Sequence, residues 1–381
     1  MAGYALALSS VLLSMVALPA AGALLAGHSL SEYLEFPPLT APASHSPFSW
    51  PVFILMAAVE IASLILIAGC LTPSDGDKNT CKVRGGRFPW WGWLGLLLAG
   101  AGWWLAWTRH SWFSAFQRHS FCLPWAGYIL AVNGWCEKRA SISWFRLCPG
   151  RFGLLFVVSS VFWWFFEFMN RFVRNWYYLG VEIFSPARYV MFASLAFATV
   201  LPAVVSTCLL LTTFRPFAIS AANRLQVKTG NAGYIGLSAL CVSALILILL
   251  GQYPDRLFPF VWIAPLVLIC SVQALFGRQT VFAPLSRGDW RPLVVPATAA
   301  LICGIFWEMW NYHSLARWVY CIAYVDRWHI FAMPLAGYGG YLPFGVECWA
   351  VACMVLGRQA DFGLLAAKAF RPEKSAAAGF R

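Results

Sequence analysis

The chain has 381 residues, of which 60% are hydrophobic and 11% charged, and it carries 21 Trp with a mean hydropathy of +0.68. So apolar a composition excludes an ordinary soluble domain, because water-exposed surface on this scale would be apolar throughout. The formal charge of +12 would suit a nucleic-acid binder, yet Lys and Arg occupy short loops between apolar runs, as membrane topology demands, so no nucleic-acid partner is expected.

In hydrocarbon every backbone N–H and C=O must pair within the protein, and runs of about 20 apolar residues select helices to do so. The apolar pattern predicts about ten spans, over 4–26, 48–70, 89–108, 120–135, 152–170, 187–213, 232–252, 257–276, 292–311 and 333–356. The first has no Lys or Arg ahead of its apolar run and no clear cleavage site, so it is expected to be retained as a helix. Lys78, Lys82, Arg84, Arg87, Lys138, Arg139, Lys228, Lys368, Lys374 and Arg381 then fall on one side with most other Arg residues. The opposite side keeps Arg109, Arg118, Arg171, Arg174, Arg188, Arg256, Arg317 and Arg327, with no Lys. A cytoplasmic (inner) membrane protein with both termini cytoplasmic is expected.

The chain also reads as partly duplicated. Phe162-Trp163-Trp164-Phe165-Phe166-Glu167-Phe168-Met169-Asn170 is echoed by Gly304-Ile305-Phe306-Trp307-Glu308-Met309-Trp310-Asn311. Each copy continues to a Trp-x-Tyr, at Trp176 to Tyr178 and at Trp318 to Tyr320. Phe121 and Trp125 match Phe258 and Trp262, and Phe192-Ala193 with Leu201-Pro202 match Phe331-Ala332 with Leu342-Pro343. The fold expected is an all-α, polytopic transmembrane helical bundle containing two tandem, parallel four-helix repeats. Its parts are two N-terminal helices and a basic loop (1–88), a first repeat (89–213), a linker (214–231), a second repeat (232–356) and a basic tail (357–381).

Four carboxylates fall inside these spans: Glu60, Glu167, Glu308 and Glu347. A charge near the bilayer centre costs a few kcal/mol, so such groups face the protein interior and often have a function. Glu167 with Asn170, and Glu308 with Asn311, are three apart and share a helix face. Duplication would bring the two Glu together across a twofold, where one of a pair in low dielectric holds its proton. That suits acid and base work with Asn170 and Asn311 orienting the carboxyls. Equally, the same groups would bond neighbouring Asn, Trp or Arg and lock helix packing. Glu347 follows Pro334, Gly337, Gly339, Gly340 and Pro343, which predict an irregular start to the last span. Its counterpart in the first half is Ser206.

The segments 172–186 and 312–331 are too polar to cross and too aromatic to be free loops, so they are expected as short helices or re-entrant pieces roofing the Glu sites. His28, His45, His110, His119, His313 and His329 all fall on the sparsely basic side, where they could bind anions or move protons. Arg109-His110-Ser111 recurs at Arg118-His119-Ser120. No pair has the H-x-x-x-H or H-E-x-x-H spacing of a metal helix, and neither metal nor cofactor is expected. The 12 Cys show no C-x-x-C spacing and no disulfide framework, with Cys321 as the one candidate for a bridge. Walker, Rossmann and G-x-S-x-G motifs are missing, which argues against ATP hydrolysis and dinucleotide chemistry.

The expected function is a membrane-embedded enzyme or binder for a lipid or isoprenoid-like amphiphile. Glu167 and Glu308 would exchange protons, Arg174 and Arg317 would meet an anionic headgroup, and Trp176, Tyr178, Trp318, Tyr320, His313 and Glu347 would contact substrate. A proton-coupled transporter, or a scaffold subunit of a larger, quinone-linked complex with other membrane proteins, are the alternatives.

Overall fold

A computed structural model describes residues 2–34, 36–37, 41–73, 81–83, 85–228 and 230–372. Lys78, Arg84, Lys374 and Arg381 of the expected basic loop and tail lie outside the described residues. The long apolar runs form helices, as backbone pairing without water requires. In chain order these are α1 (Ala2–Leu25), α2 (Trp50–Leu71), α3 (Trp90–Trp107), α4 (Cys122–Ala140), α5 (Pro149–Val173), α6 (Pro186–Phe197), α7 (Val200–Leu211), α8 (Ala232–Gln252), α9 (Ala264–Leu275), α10 (Arg291–Tyr312), α11 (Tyr341–Leu356) and α12 (Phe362–Ala369).

Seven helical stretches among the described residues are long and apolar enough to cross a bilayer, or eight if Pro254–Trp262 and Ala264–Leu275, bent by 52°, make one span. This is a helical, aromatic-rich membrane protein. The remaining two of the ten expected spans are helices, α3 and α4, that fall short of the required apolarity. Helix α3 owes its shortfall to Trp and Gly, and α4 ends on Glu137, Lys138 and Arg139.

Helices α3 and α4 pack antiparallel at close range. A Cβ on Gly127 would stand 2.3 Å from the Ala99 backbone nitrogen, and one on Gly95 would stand 2.5 Å from that of Ala131. Only glycine allows this approach, and dispersion contacts at such range stand in for the hydrophobic drive that lipid does not supply. Helix α1 packs on α8 and α8 on α9, while α7, α10 and α11 occupy the centre. Nearly every side chain of α7 is buried. By contrast the whole apolar window of α2 lies outside the core, a surface suited to lipid.

The last span begins irregularly, as its Pro and Gly content predicts, with a 3-10 stretch over Leu335–Gly340 ahead of α11. The aromatic segments depart from expectation. Within 172–186 and 312–331 the chain forms extended strands, not short helices: β2 (Trp176–Leu179) and β3 (Arg317–Tyr320), with β1 (Cys81–Val83) pairing elsewhere with β6 (Phe370–Pro372). Trp, Tyr, Val and Leu favour a pleated, half-buried strand. The two strands pair antiparallel, Trp176 opposite Tyr320 and Tyr178 opposite Trp318, so the backbone groups that face across this half-buried ladder find partners.

The correspondence of Phe192-Ala193 with Phe331-Ala332 does not extend to structure. The first pair lies in α6, whereas Phe331 and Ala332 turn between β4 (His329–Ile330) and β5 (Met333–Pro334). Phe331 there has a φ of 57°, a left-handed conformation incompatible with continuing a helix.

Candidate functional site

Helices α5 and α10 each deliver a Glu and an Asn near their C-terminal ends, and then the chain turns into β2 or β3. Helix α5 stops at Arg174, whose φ of 49° ends the α-helical run. Asn170 Nδ2 donates to the Trp176 carbonyl at 2.7 Å, and the Trp176 N–H returns to Asn170 Oδ1 at 3.3 Å. Asn311 makes the same two bonds with Trp318, at 2.7 and 2.9 Å. Each Asn thus spends both ends of its amide on fastening a strand to a helix. Neither orients a Glu directly, contrary to the sequence expectation.

With the strands fastened, the Tyr two residues past each Trp reaches back to the carboxyl. Tyr178 donates to Glu167 Oε1 at 2.5 Å, joined by the indoles of Trp163 and Trp176 at 3.2 Å each. Tyr320 and Tyr341 both donate to Glu308 Oε1 at 2.8 Å, and the Trp318 indole donates to the Tyr320 hydroxyl at 2.9 Å. Both carboxyls are buried, and Glu308 Oε2 has no partner among the described residues. Burial, followed by the facing carboxyl, pushes the phenols of Tyr178 and Tyr320 well above their ordinary value, so at neutral pH both hydroxyls keep the proton they donate.

No hydrogen bond joins Glu167 to Glu308 among the described residues; each has its own set of phenols and indoles. The two carboxyls expected to come together are thus not directly bonded, and each sits in its own carboxyl–phenol group. Chain geometry is the reason: each Glu is served by the strand that follows its own helix, through a Tyr 11 residues on for Glu167 and 12 for Glu308.

The phenols and indoles that serve the carboxyls also wall a single cavity of about 170 Å³. Trp163, Trp176 and Tyr178 line it together with Trp318, Tyr320 and Tyr341 and with Trp262, Trp307 and Phe344. The carboxyls themselves stand behind this wall. Two further contacts across the wall are reciprocal. Trp125, from ahead of α5, packs on Trp307 of α10 with ring centroids 5.0 Å apart, and its sequence match Trp262 stacks on Phe166 of α5 at 4.9 Å.

Of the other expected site residues, Arg317 reaches the cavity and Arg174, His313 and Glu347 do not line it. The carbonyl of Arg174 accepts from His45 Nε2 at 3.2 Å and from the Cys321 thiol at 3.3 Å. Cys321 is a free thiol. Burial would lower the His45 pKa, but hydrogen bonds to Cys321, Asp255 and that carbonyl outweigh it and raise the value to about 9. His45 Nδ1 lies 2.7 Å from Asp255 Oδ1. His313 packs edge-on against Trp107 at 4.7 Å. Glu347 is buried in α11 with Oε2 unpartnered, while Glu60 presses on Gly339, where a Cβ would come within 2.2 Å of its Oε1.

Several cavity groups, Tyr189 among them, escaped the sequence reading as site residues. Trp163 precedes Glu167 by four residues, a spacing that by itself puts the indole beside the carboxyl. Tyr341 belongs to another helix and carries no such signal; it enters because Gly304 leaves room for its ring, which a Cβ there would approach to 2.4 Å. Arg118, which lines the cavity, stood out in sequence only as one of the sparse outer arginines and as part of a recurring Arg-His-Ser. Among the described residues no three His, Cys, Asp or Glu gather as metal ligands. No known family model, curated protein or solved structure matches this chain.

Proposed function

We propose that this membrane protein binds a lipid or isoprenoid-like amphiphile, its apolar part in the aromatic cavity, with Glu167 and Glu308 acting through the phenols in front of them. The observation that carries this reading is the largely aromatic cavity wall, in which Trp163, Trp176, Tyr178, Tyr320 and Tyr341 each donate to a buried carboxyl. A dry, aromatic hole near 150 Å³ is large enough for benzene, so about 170 Å³ suits an isoprene-sized piece or a short run of acyl chain. Transfer of such a group from water is favourable by roughly 25 cal/mol per Å² buried.

The carboxyl–phenol groups give the cavity a path for a proton. A ligand oxygen next to Tyr178, Tyr320 or Tyr341 would meet a hydroxyl backed by a carboxyl, an arrangement suited to general acid and base chemistry. Duplication of a four-helix unit supplies the two groups: the matched Trp-x-Tyr strands pair with each other, and Trp125 and Trp262 exchange places across the halves. An outward-facing cavity and cytoplasmic termini in the inner membrane belong to this reading, on the basis of the Lys and Arg distribution.

Protein extracted with native lipid should carry an apolar ligand detectable by mass spectrometry. Ala196→Phe, which places a ring in the cavity, should lose that ligand while keeping the melting temperature of the parent. Glu167→Gln and Glu308→Gln should keep the ligand and lose any turnover of it. A parent protein free of ligand, with Ala196→Phe behaving identically, would overturn the proposal in favour of a packing role for the carboxyls.

A further inference from the structure

At one edge of the cavity the wall changes from aromatic to cationic. The Arg118 Nε donates to the Gly180 carbonyl at 3.0 Å, just past Leu179, which pairs with Arg317 across the strands. Two arginines from different parts of the chain therefore converge at one end of the β2–β3 pair. Arg317 spends only Nη1, in a long 3.4 Å bond to the Ser314 carbonyl. The terminal amino groups of Arg118 have no hydrogen-bond acceptor among the described residues, and no carboxylate pairs with either guanidinium there. Glu182, the nearby acid in sequence, is turned to the Gly180 N–H at 3.0 Å.

Two more polar groups that line the cavity have buried atoms without partners. The Tyr189 hydroxyl is buried and unbonded, on a residue only 4% exposed, and His119 Nδ1 is likewise buried and unbonded. A buried hydroxyl left without a partner has lost its hydration uncompensated, which an arriving acceptor would make good. His119 is clasped between Phe192 and Phe184, with ring centroids at 3.6 and 5.3 Å. Burial, then the cations Arg188 and Arg118, hold its pKa below the usual value, so the imidazole is neutral at pH 7 and the local field is positive.

We infer that Arg118 and Arg317, with the Tyr189 hydroxyl and His119, form a subsite for a phosphate or phosphate-like anionic group, which orients the ligand whose apolar part enters the aromatic cavity. Guanidinium groups suit this because their fixed forks of N–H donors match phosphate oxygens, and charge-assisted bonds are about twice as strong as neutral ones. The phenol donates a further bond. The inference rests on the amphiphile reading above and names the headgroup for it. Of the two arginines first assigned to a headgroup, Arg317 keeps that role and Arg118 takes the place of Arg174.

The test uses the full chain in nanodiscs of zwitterionic lipid, titrated with octyl phosphate, octanol and inorganic phosphate, with calorimetric affinity as the readout. Octyl phosphate should bind at least 10-fold more tightly than octanol, and the Arg118→Gln, Arg317→Gln double variant should erase that preference while still binding octanol, which shows that it is folded. Equal affinity of the two octyl compounds for the parent, or a preference surviving in the double variant, overturns the anionic subsite and leaves the apolar cavity standing. Inorganic phosphate binding as tightly as octyl phosphate would make this a free-anion site and overturn the link to an amphiphile. Octanol binding unchanged by Ala193→Trp, which fills the cavity, sinks the amphiphile reading itself.

Discussion

Tyr178 lies directly opposite Trp318 in the antiparallel pair β2–β3, and its hydroxyl reaches Glu167 Oε1 at 2.5 Å. One residue thus joins the strand of one matched segment to the strand of the other and closes the shell around a buried carboxyl. Local sequence, strand pairing and the candidate site meet in it.

Removing that hydroxyl should be felt as an unsatisfied acceptor and not as a lost contact area. Tyr178→Phe leaves Glu167 with two indole donors, and Tyr320→Phe leaves Glu308 with Tyr341 while depriving the Trp318 indole of its acceptor. Each is expected to destabilise by about 1 to 2 kcal/mol, with the Tyr320 change the larger because two groups lose a partner. Melting in detergent, compared with Tyr177→Phe on the same strand, measures this; equal melting of all three variants would refute it.

The Asn clamps make a different kind of statement, because their bonds are to backbone. Asn170→Ala and Asn311→Ala should each release one helix-to-strand junction at a cost of about 1 to 3 kcal/mol. Since β2 and β3 are each other's only ladder partner among the described residues, hydrogen exchange should rise in both strands whichever Asn is changed. Exchange confined to the mutated half would show that the strands are held independently.

His45 ties the segment before α2 to Asp255 and to the end of α5. Its folded pKa is raised to about 9 from about 6.5, so its contribution to stability is complete below pH about 6.5 and is lost as pH climbs through about 9. The parent should lose melting temperature between pH 7 and pH 10 more steeply than His45→Ala, in which this source of pH dependence is absent. Parallel curves would remove the ion pair from consideration.

The α3–α4 contact offers a test of packing away from the cavity. Gly127→Leu puts a Cβ 2.3 Å from the Ala99 backbone nitrogen, which no rotamer relieves. A loss of about 3 kcal/mol is expected, whereas Gly100→Leu, at a position where a Cβ meets nothing within 4 Å, should be tolerated. Comparable melting of the two variants would contradict the close approach.

Much of this architecture was legible from one-dimensional pattern. Backbone groups in hydrocarbon have no partner but each other, so long apolar runs had to become helices, and the Pro and Gly cluster before Tyr341 had to start the last span irregularly. Helical spacing likewise put Asn170 near Glu167 and Asn311 near Glu308. Trp-rich α3 and charged-ended α4 form helices where spans were expected, though neither is among the seven or eight stretches long and apolar enough to cross by composition alone. What lay beyond reach was any relation between segments distant in the chain. Only tertiary structure decided that Trp176–Leu179 and Arg317–Tyr320 pair as strands instead of lying as helices, and that the Asn amides fasten those strands instead of the carboxyls. It likewise decided that Glu167 and Glu308 each bond their own phenols behind a shared aromatic wall. The physical reason is that an apolar run satisfies its hydrogen bonds within itself, whereas a strand or a buried carboxyl needs a partner that no local pattern names.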